Sequence, residues 1–548
     1  MRILIPPVAL TRLPSWFWLW AALTVTMLLL RPAMPLDETR YLAVAWEMWW
    51  RGSIAVPYLN GDYYAGKPPL FFWLMQLGWW VTGLNDWWPR LVVALFGLGD
   101  LVLTRAIARR LWGEHPASRM APVILLGSFY WTVFCTSIMF DMLLGFFALV
   151  SVYAVIRAWQ DGRARHFALA GLALGLGILT KGPVVFLPAL FTVLFAPWWG
   201  RGAGSWRSGW VRWYASALGA AGIAALIAVA WLVPLTLGSS VDYLKNITLR
   251  QTGGYVVDSF AHRRPIWWYL AMVPLLLYPW SFWPRAWRAL AAVRKTPDPG
   301  VRLCVVWAVA VLIVFSLISG KQAHYPLLMF PAVALLLGRL LPDVDRAGDR
   351  SLLLPAAAAI VVGAAMTAMG AGLVRPKTAE WFAEMPAGPP YIAGAVLIAI
   401  GLAVVAACRL TLGGRVRALT AATCAAIAVS AWCVLRVSGP ANDIRAASAF
   451  VGRLDAQGAA LAVAGGYHGQ FNFYGRIRSR IERIPPSSAA QWAGRHPEGY
   501  LVAFYPAGRW PAAARVAPAY RSLYRSGYLA VWRARDVQAH PEIASAFE

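Results

Sequence analysis

A chain of 548 residues that is 59% hydrophobic, only 14% charged and has a mean hydropathy of +0.56 lies outside the range of soluble domains. Its formal net charge of +26 would suit a nucleic-acid binder, but the basic residues are spread through short loops between apolar stretches rather than gathered on one body. That distribution excludes a basic soluble module and fits the excess of Lys and Arg in the cytoplasmic loops of membrane proteins.

About thirteen apolar stretches are long enough to span a bilayer core, which takes roughly 20 helical residues. The first, Ser15 to Leu30, follows Arg2 and Arg12 and runs into Arg31 and Pro32 with no small-residue cleavage site, so a retained helix is expected. An outer segment with Trp46, Trp49 and Trp50 beside charges reads as interfacial helices. A half-inserted stretch at 71–82 follows, then spans near 88–105, 120–140, 142–156, 166–179, 184–197, 214–237, 266–283, 303–318, 326–340, 352–373, 391–407 and 419–435. Arginine-rich loops (Arg105, Arg109, Arg110 and Arg119; Arg157, Arg163 and Arg165; Arg201, Arg207 and Arg212; Arg285, Arg288 and Arg294) place those turns and the N-terminus inside. Five cysteines, all in or beside spans and without C-x-x-C spacing, read as small core residues.

The expected architecture is therefore an all-α polytopic membrane protein with a small C-terminal periplasmic α/β domain. Residues 1–438 form the membrane domain, whose outer loop 31–70 carries the interfacial helices, and residues 439–548 form the soluble domain. In the latter, PANDIRAASAFVGRLDAQ has helical periodicity, and ALAVAGG, FNFYG, YLVAFYP and YLAVWRA read as strands. Its arginines (Arg476, Arg478, Arg480, Arg483) suit either a solvated basic surface or contact with anionic head groups.

Four polar clusters fall on the outer side under this topology, although they come from distant parts of the chain. The first is Asp37-Glu38-Thr39-Arg40-Tyr41, where a carboxylate could orient an acceptor, accept a proton or hold a metal, or where Asp37 could simply pair with Arg40 at a helix start. The second is Tyr63-Tyr64-Ala65-Gly66-Lys67-Pro68-Pro69, in which prolines fix the corner from which Lys67 points; phosphate binding is the sharper reading and snorkelling the plainer one. The third is Asp141, alone between two apolar runs. The fourth is the set Lys181, His262, Arg263, Arg264, Lys321, His324 and Tyr325, a candidate cationic pocket for phosphate. Asp100 is also isolated, but its mid-span position favours buried pairing or helix packing. Asn246-Ile247-Thr248 is discounted as a chance glycosylation match, and Gly171 and Gly175 read as a close helix contact.

The order of these strings (LDETRY, YYAGKPPLFFWL, GLALGLGILTKGP, HRRPIWWYL, KQAHYPLLMFPAVALL) resembles the GT-C membrane glycosyltransferases, in the protein-mannosyltransferase-like branch that contains the lipid A aminoarabinose transferases. The likeness covers most of residues 10 to 345 and is looser beyond. It implies an inverting transfer from a polyprenyl-phosphate-linked sugar to lipid A or another envelope acceptor, at the periplasmic edge of a bacterial inner membrane, with membrane lipids and not nucleic acid as partners. By motif position it implies Asp37 and Asp141 as the catalytic acids and Lys67 near the carrier phosphate, with Glu38, Tyr64, Lys181, His262, Arg263, Arg264, Lys321 and Tyr325 as further binding residues. Aminoarabinose transferases commonly carry an acid before the KP lysine, where this chain has Gly66, which argues against a metal site built on that position and leaves the sugar open: 4-amino-4-deoxy-L-arabinose, or an amino hexose. No cofactor is required by this chemistry, although a divalent metal could take part. A lipid-linked sugar flippase, or a related protein or polysaccharide glycosyltransferase, would use the same carrier; a flippase would need polar residues facing both sides.

Overall fold

The computed structural model describes residues 13–201, 206, 209–238, 263–296, 298–346, 350–373, 386–506, 510 and 516–545. The first helices are α1 (Ser15–Leu30), α2 (Asp37–Arg51), α3 (Leu70–Thr82), α4 (Trp87–Trp112), α5 (Ala117–Leu126), α6 (Phe129–Phe134), α7 (Asp141–Asp161), α8 (His166–Lys181) and α9 (Phe186–Leu194). There follow α10 (Trp210–Gly238), α11 (Trp268–Leu276), α12 (Pro299–Leu317), α13 (Phe330–Leu340), α14 (Leu353–Gly370), α15 (Gly388–Ala406) and α16 (Leu412–Asn442). Among the described residues, seven helices are long and apolar enough to cross a membrane and six shorter apolar ones accompany them. The chain is a polytopic helical membrane protein.

Of the roughly thirteen expected spans, seven described helices are long enough to cross and most of the rest correspond to the shorter apolar helices, with differences in membership. The stretch expected to be half-inserted, 71–82, is the 13-residue helix α3, shorter than a full crossing needs. The expected span 266–283 is instead the nine-residue α11 and a 3-10 turn, because Pro274 and Pro279 remove amide donors within a few residues of each other. The expected span 120–140 is broken into α5 and α6. Trp280 holds that break, donating from its indole to Ile124 O at 3.0 Å and Ser128 Oγ at 3.1 Å, while Phe129 N donates to Tyr278 O at 2.9 Å. Gly171 and Gly175 do mark a close helix contact: a Cβ on Gly171 would stand 2.7 Å from Ala220 O on α10. Of the two alternatives for Asp100, helix packing holds: it packs beside Gly145, and neither carboxylate oxygen has a hydrogen bond among the described residues.

The outer segment 31–70 carries α2 and a two-stranded hairpin, β1 (Tyr58–Leu59) with β2 (Asp62–Tyr63). α2 is amphipathic and starts on acids, which suit the positive end of its dipole. It stops at Gly52, whose φ of 65° allows the left-handed cap.

After α16 the chain forms helix α17 (Arg445–Ala456) and strands β3 (Leu461–Ala464), β4 (Glu482–Ile484), β5 (Tyr500–Tyr505), β6 (Tyr520–Tyr524) and β7 (Gly527–Arg533). The sheet order is β4-β3-β5-β7-β6, with β3 parallel to both neighbours and β7 antiparallel to both of its own. Apolar clusters cover both faces of the sheet. FNFYG, expected as a strand, is a helical turn ended by Arg476 at φ 53°; its Phe473 stacks on Trp79 with ring centres 5.3 Å apart, an anchor that outweighs strand propensity. The edge strands β4 and β6 escape the alternation pattern because each is short and half solvated.

The sheet domain sits on the outer loop. Asn60 exchanges two hydrogen bonds with Ile481, at 2.8 and 2.9 Å, and Trp46 donates to Ile477 O at 3.1 Å. Arg480 and Arg483 both reach Asp62, at 3.0 and 2.8 Å, and Arg476 lies over the Trp46 ring. These arginines therefore fasten the domain to the segment that begins with Asp37. The two share one side of the helical body by direct contact, independently of any count of crossings.

Candidate active site

Asp141 is the first residue of α7 and Lys181 the last of α8, so each charge sits at the helix end whose dipole favours it. The two helices are antiparallel neighbours, which brings Lys181 Nζ to 2.7 Å from Asp141 Oδ1. Asp141 is buried, and its second oxygen has no protein partner among the described residues. The Lys181 ammonium also lies 5.7 Å from the centre of the Tyr325 ring. α2 contributes the second pair, Asp37 with Arg40, one helical turn apart; the Asp37 side chain is 53% exposed, so it is the acid a substrate can reach.

Lys67 stands between these pairs. Among the described residues its ammonium donates to its neighbour's carbonyl, Gly66 O, at 3.1 Å, and has no carboxylate partner. Burial and the nearby Lys181 charge, opposed by Asp141, push its pKa down to about 8. Two internally paired cations and one unpaired cation leave the cluster with one excess positive charge. Gly66 is part of the arrangement, since a Cβ there would stand 2.5 Å from the Tyr64 ring, and a larger side chain would force that ring to move.

The other sequence candidates divide. Tyr64 lines the cluster, close enough to Arg40 and Tyr41 to act on their charge states, and Tyr325 lies under Lys181. Glu38 is buried and fully engaged: it binds Arg31 at 2.7 Å and accepts from Met34 N at 2.9 Å and Ile138 N at 3.1 Å. It braces the 135–140 loop against α2, a positioning task in place of the substrate contact expected. Lys321 is buried too, and its ammonium donates to Arg264 O at 3.0 Å and Ile318 O at 2.6 Å, which ties two loops instead of offering a cation to a phosphate. Arg263 and Arg264 are exposed and join the same loop pair through their backbones. His262 lies outside the described residues. They hold no group of three or more His, Cys, Asp or Glu side chains spaced to bind a metal.

Two histidines complete the constellation. His324, read only as part of a basic string, lies within electrostatic reach of Asp141 and Lys181; burial and the Lys181 and Lys67 charges push its pKa down to about 4 against the pull of Asp141. His468 comes from the sheet domain, at the end of a loop pinned by Gly469, and lies within electrostatic reach of Arg40 and Asp37. No local motif signals His468, because only the docking of the two domains brings it there.

Residues 66–233, which include Lys67, Asp141 and Lys181, match the family model described as dolichyl-phosphate-mannose-protein mannosyltransferase. The chain is 29% identical over 320 residues to an undecaprenyl phosphate-alpha-4-amino-4-deoxy-L-arabinose arabinosyl transferase of Pseudomonas fluorescens, a match covering 56% of this chain and 55% of the relative. It is equally identical over 349 residues to the transferase of that name from Pseudomonas aeruginosa PAO1, covering 61% and 60%. The matches thus span little more than half the length of these relatives. Among solved structures, ArnT from Cupriavidus metallidurans bound to undecaprenyl phosphate superimposes with a TM-score of 0.74 over 94% of this chain and 97% of that one, at 20% identity. The chain has the GT-C fold of ArnT. The resemblance read from the motif order is borne out, and the shared fold includes the C-terminal sheet domain as well as the helical body.

Proposed function

We propose that this chain is an inverting glycosyltransferase that moves a sugar from a polyprenyl-phosphate donor to lipid A or another envelope acceptor, at the periplasmic face of a bacterial inner membrane. The observation that carries the reading is Lys67, a cation with no carboxylate partner among the described residues, between the Asp37–Arg40 and Lys181–Asp141 pairs. A sugar phosphodiester bears one negative charge, and the cluster has one positive charge in excess. As the bond from the sugar to the phosphate breaks, negative charge grows on the leaving phosphate, where a preorganised ammonium stabilises it more than in the ground state. A phosphate acceptor is already anionic and needs no base, which leaves Asp37 to orient the sugar; a hydroxyl acceptor would pass its proton to Asp37. Asp141 and Lys181 keep the field around Lys67 fixed. The kinship with aminoarabinose transferases favours an amino sugar, and Gly66 leaves its identity open.

Donor binding as a function of pH tests this assignment. The diester keeps its charge across the neutral and alkaline range, whereas Lys67 loses its proton as pH rises through about 8. Phosphate attraction is complete below that value and fades above it, so affinity should fall about tenfold per pH unit beyond pH 8 until the pKa of the donor-bound lysine is reached. Lys67→Arg should remove this limb, because a guanidinium stays protonated throughout. A pH-independent donor Kd in the unsubstituted protein would take Lys67 off the phosphate.

A further inference from the structure

On the face opposite the site, helices line an open cavity of about 550 Å³. Four helices fix its position. α1 leaves it at Ser15 and runs to Leu30, beside the Arg31 that holds Glu38. α16 leaves it at Leu412 and delivers the chain to the sheet domain. α4 starts next to Asp86, which binds Tyr474 of the sheet domain at 2.8 Å, and reaches the cavity with Arg105. α13 starts near Tyr325 and ends just before Pro342, in the cavity wall.

The lining has two characters. Trp16, Met120, Val123, Leu412 and Val416 are buried and make an apolar floor. Arg105, Arg119 and Arg417 come from three separate helices, α4, α5 and α16, with Arg119 and Arg417 exposed, and none forms an ion pair with another described residue. The carboxylate in the wall, Asp345, does not neutralise them: Arg285 pairs with it, and Arg415 reaches it at 3.2 Å. The orientation rule accounts for arginines on this face. It does not account for three of them converging, unpaired, on one apolar-floored cavity. A soluble anion would satisfy the guanidiniums but not the floor, and an uncharged acyl chain the floor but not the guanidiniums.

We propose that this cavity is a binding site for an anionic glycerophospholipid of the surrounding leaflet, with its phosphate on Arg105, Arg119 and Arg417 and an acyl chain along Trp16, Val123 and Val416. Arginine suits this task because its planar fork engages phosphate oxygens in pairs. The site is separate from the transfer site and does not depend on the reaction assigned to it.

The test is titration of the full-length protein in detergent with phosphatidylglycerol or phosphatidylcholine, read by native mass spectrometry. At least one phosphatidylglycerol should bind about tenfold or more tightly than phosphatidylcholine, a difference of 1.4 kcal/mol. R105Q/R119Q/R417Q should abolish that preference, while R163Q/R165Q/R212Q, which removes as many arginines from the same face, should keep it. Absence of the preference, its survival in the first triple variant, or equal loss in both would overturn the proposal. Should the first triple variant not fold, R105Q and R417Q singly are expected to weaken phosphatidylglycerol about threefold or more, and unchanged affinity in both would count against the site. Displacement of phosphatidylglycerol by polyprenyl phosphate at equal concentration would reassign the cavity to the carrier and overturn the choice of ligand.

Discussion

Lys67→Ala should lower turnover at saturating donor by roughly 10² to 10³, about 3 to 4 kcal/mol of transition-state stabilisation, the scale of removing one preorganised donor from a developing oxyanion. The fold should survive, because among the described residues the ammonium's hydrogen bond is to the carbonyl of its own neighbour, and the corner is set by Pro68 and Pro69. Lys67→Arg should restore part of the rate, since a planar fork brings the charge without the compact geometry of an ammonium. Asp37→Asn should leave donor binding nearly unchanged and impair transfer, because the Asp37 side chain is half exposed and its charge is already paired to Arg40. Steady-state rates and donor titrations on the three purified variants separate these roles. Near-normal turnover by Lys67→Ala would remove the lysine from the mechanism.

The buried pair predicts the largest stability effect. Asp141→Ala or Lys181→Ala alone strands a charge in a site that gives it no other partner of opposite sign at hydrogen-bond distance among the described residues, and should cost about 3 to 5 kcal/mol. The double variant Asp141→Leu with Lys181→Met should recover most of that loss, because it removes both charges together. The same substitutions act on Lys67 with opposite signs. Asp141 raises its proton affinity and Lys181 lowers it, so Asp141→Asn should move the alkaline limb of donor binding below pH 8, and Lys181→Met should move it above. Thermal unfolding in detergent and donor titration across pH measure the two effects independently. Additive destabilisation in the double variant, or limbs that do not move, would show that the pair does not set the field at Lys67.

What the sequence made legible follows from which signals are local. Apolar length is local, so most helices are legible to within a few residues; α5, α6 and α11 are not, because breaks at Gly127, Pro274 and Pro279 are enforced by packing against Trp280 and by lost amides. Charge type is also local, which is why Asp37, Lys67, Asp141 and Lys181 could be singled out. Their pairing was not, since it depends on α7 and α8 being antiparallel neighbours. The same limit explains Lys321 and Glu38: a lysine or an acid reads alike whether it faces a ligand or a backbone carbonyl and amide, and only the fold shows that these two brace loops. His468 lies over four hundred residues beyond Asp37, and no periodicity connects them.

The central claim is transfer, and the most direct measurement is product formation by the purified full-length protein in detergent, supplied with a polyprenyl-phosphate-linked amino sugar and lipid A. Transfer needs one active face and no second compartment, so glycosylated lipid A and free polyprenyl phosphate should appear in equal amounts, without any membrane or gradient. Movement of the donor across sealed vesicles, with no glycosylated product from a panel of envelope acceptors, would contradict the account and assign the same cluster to a lipid-linked sugar flippase.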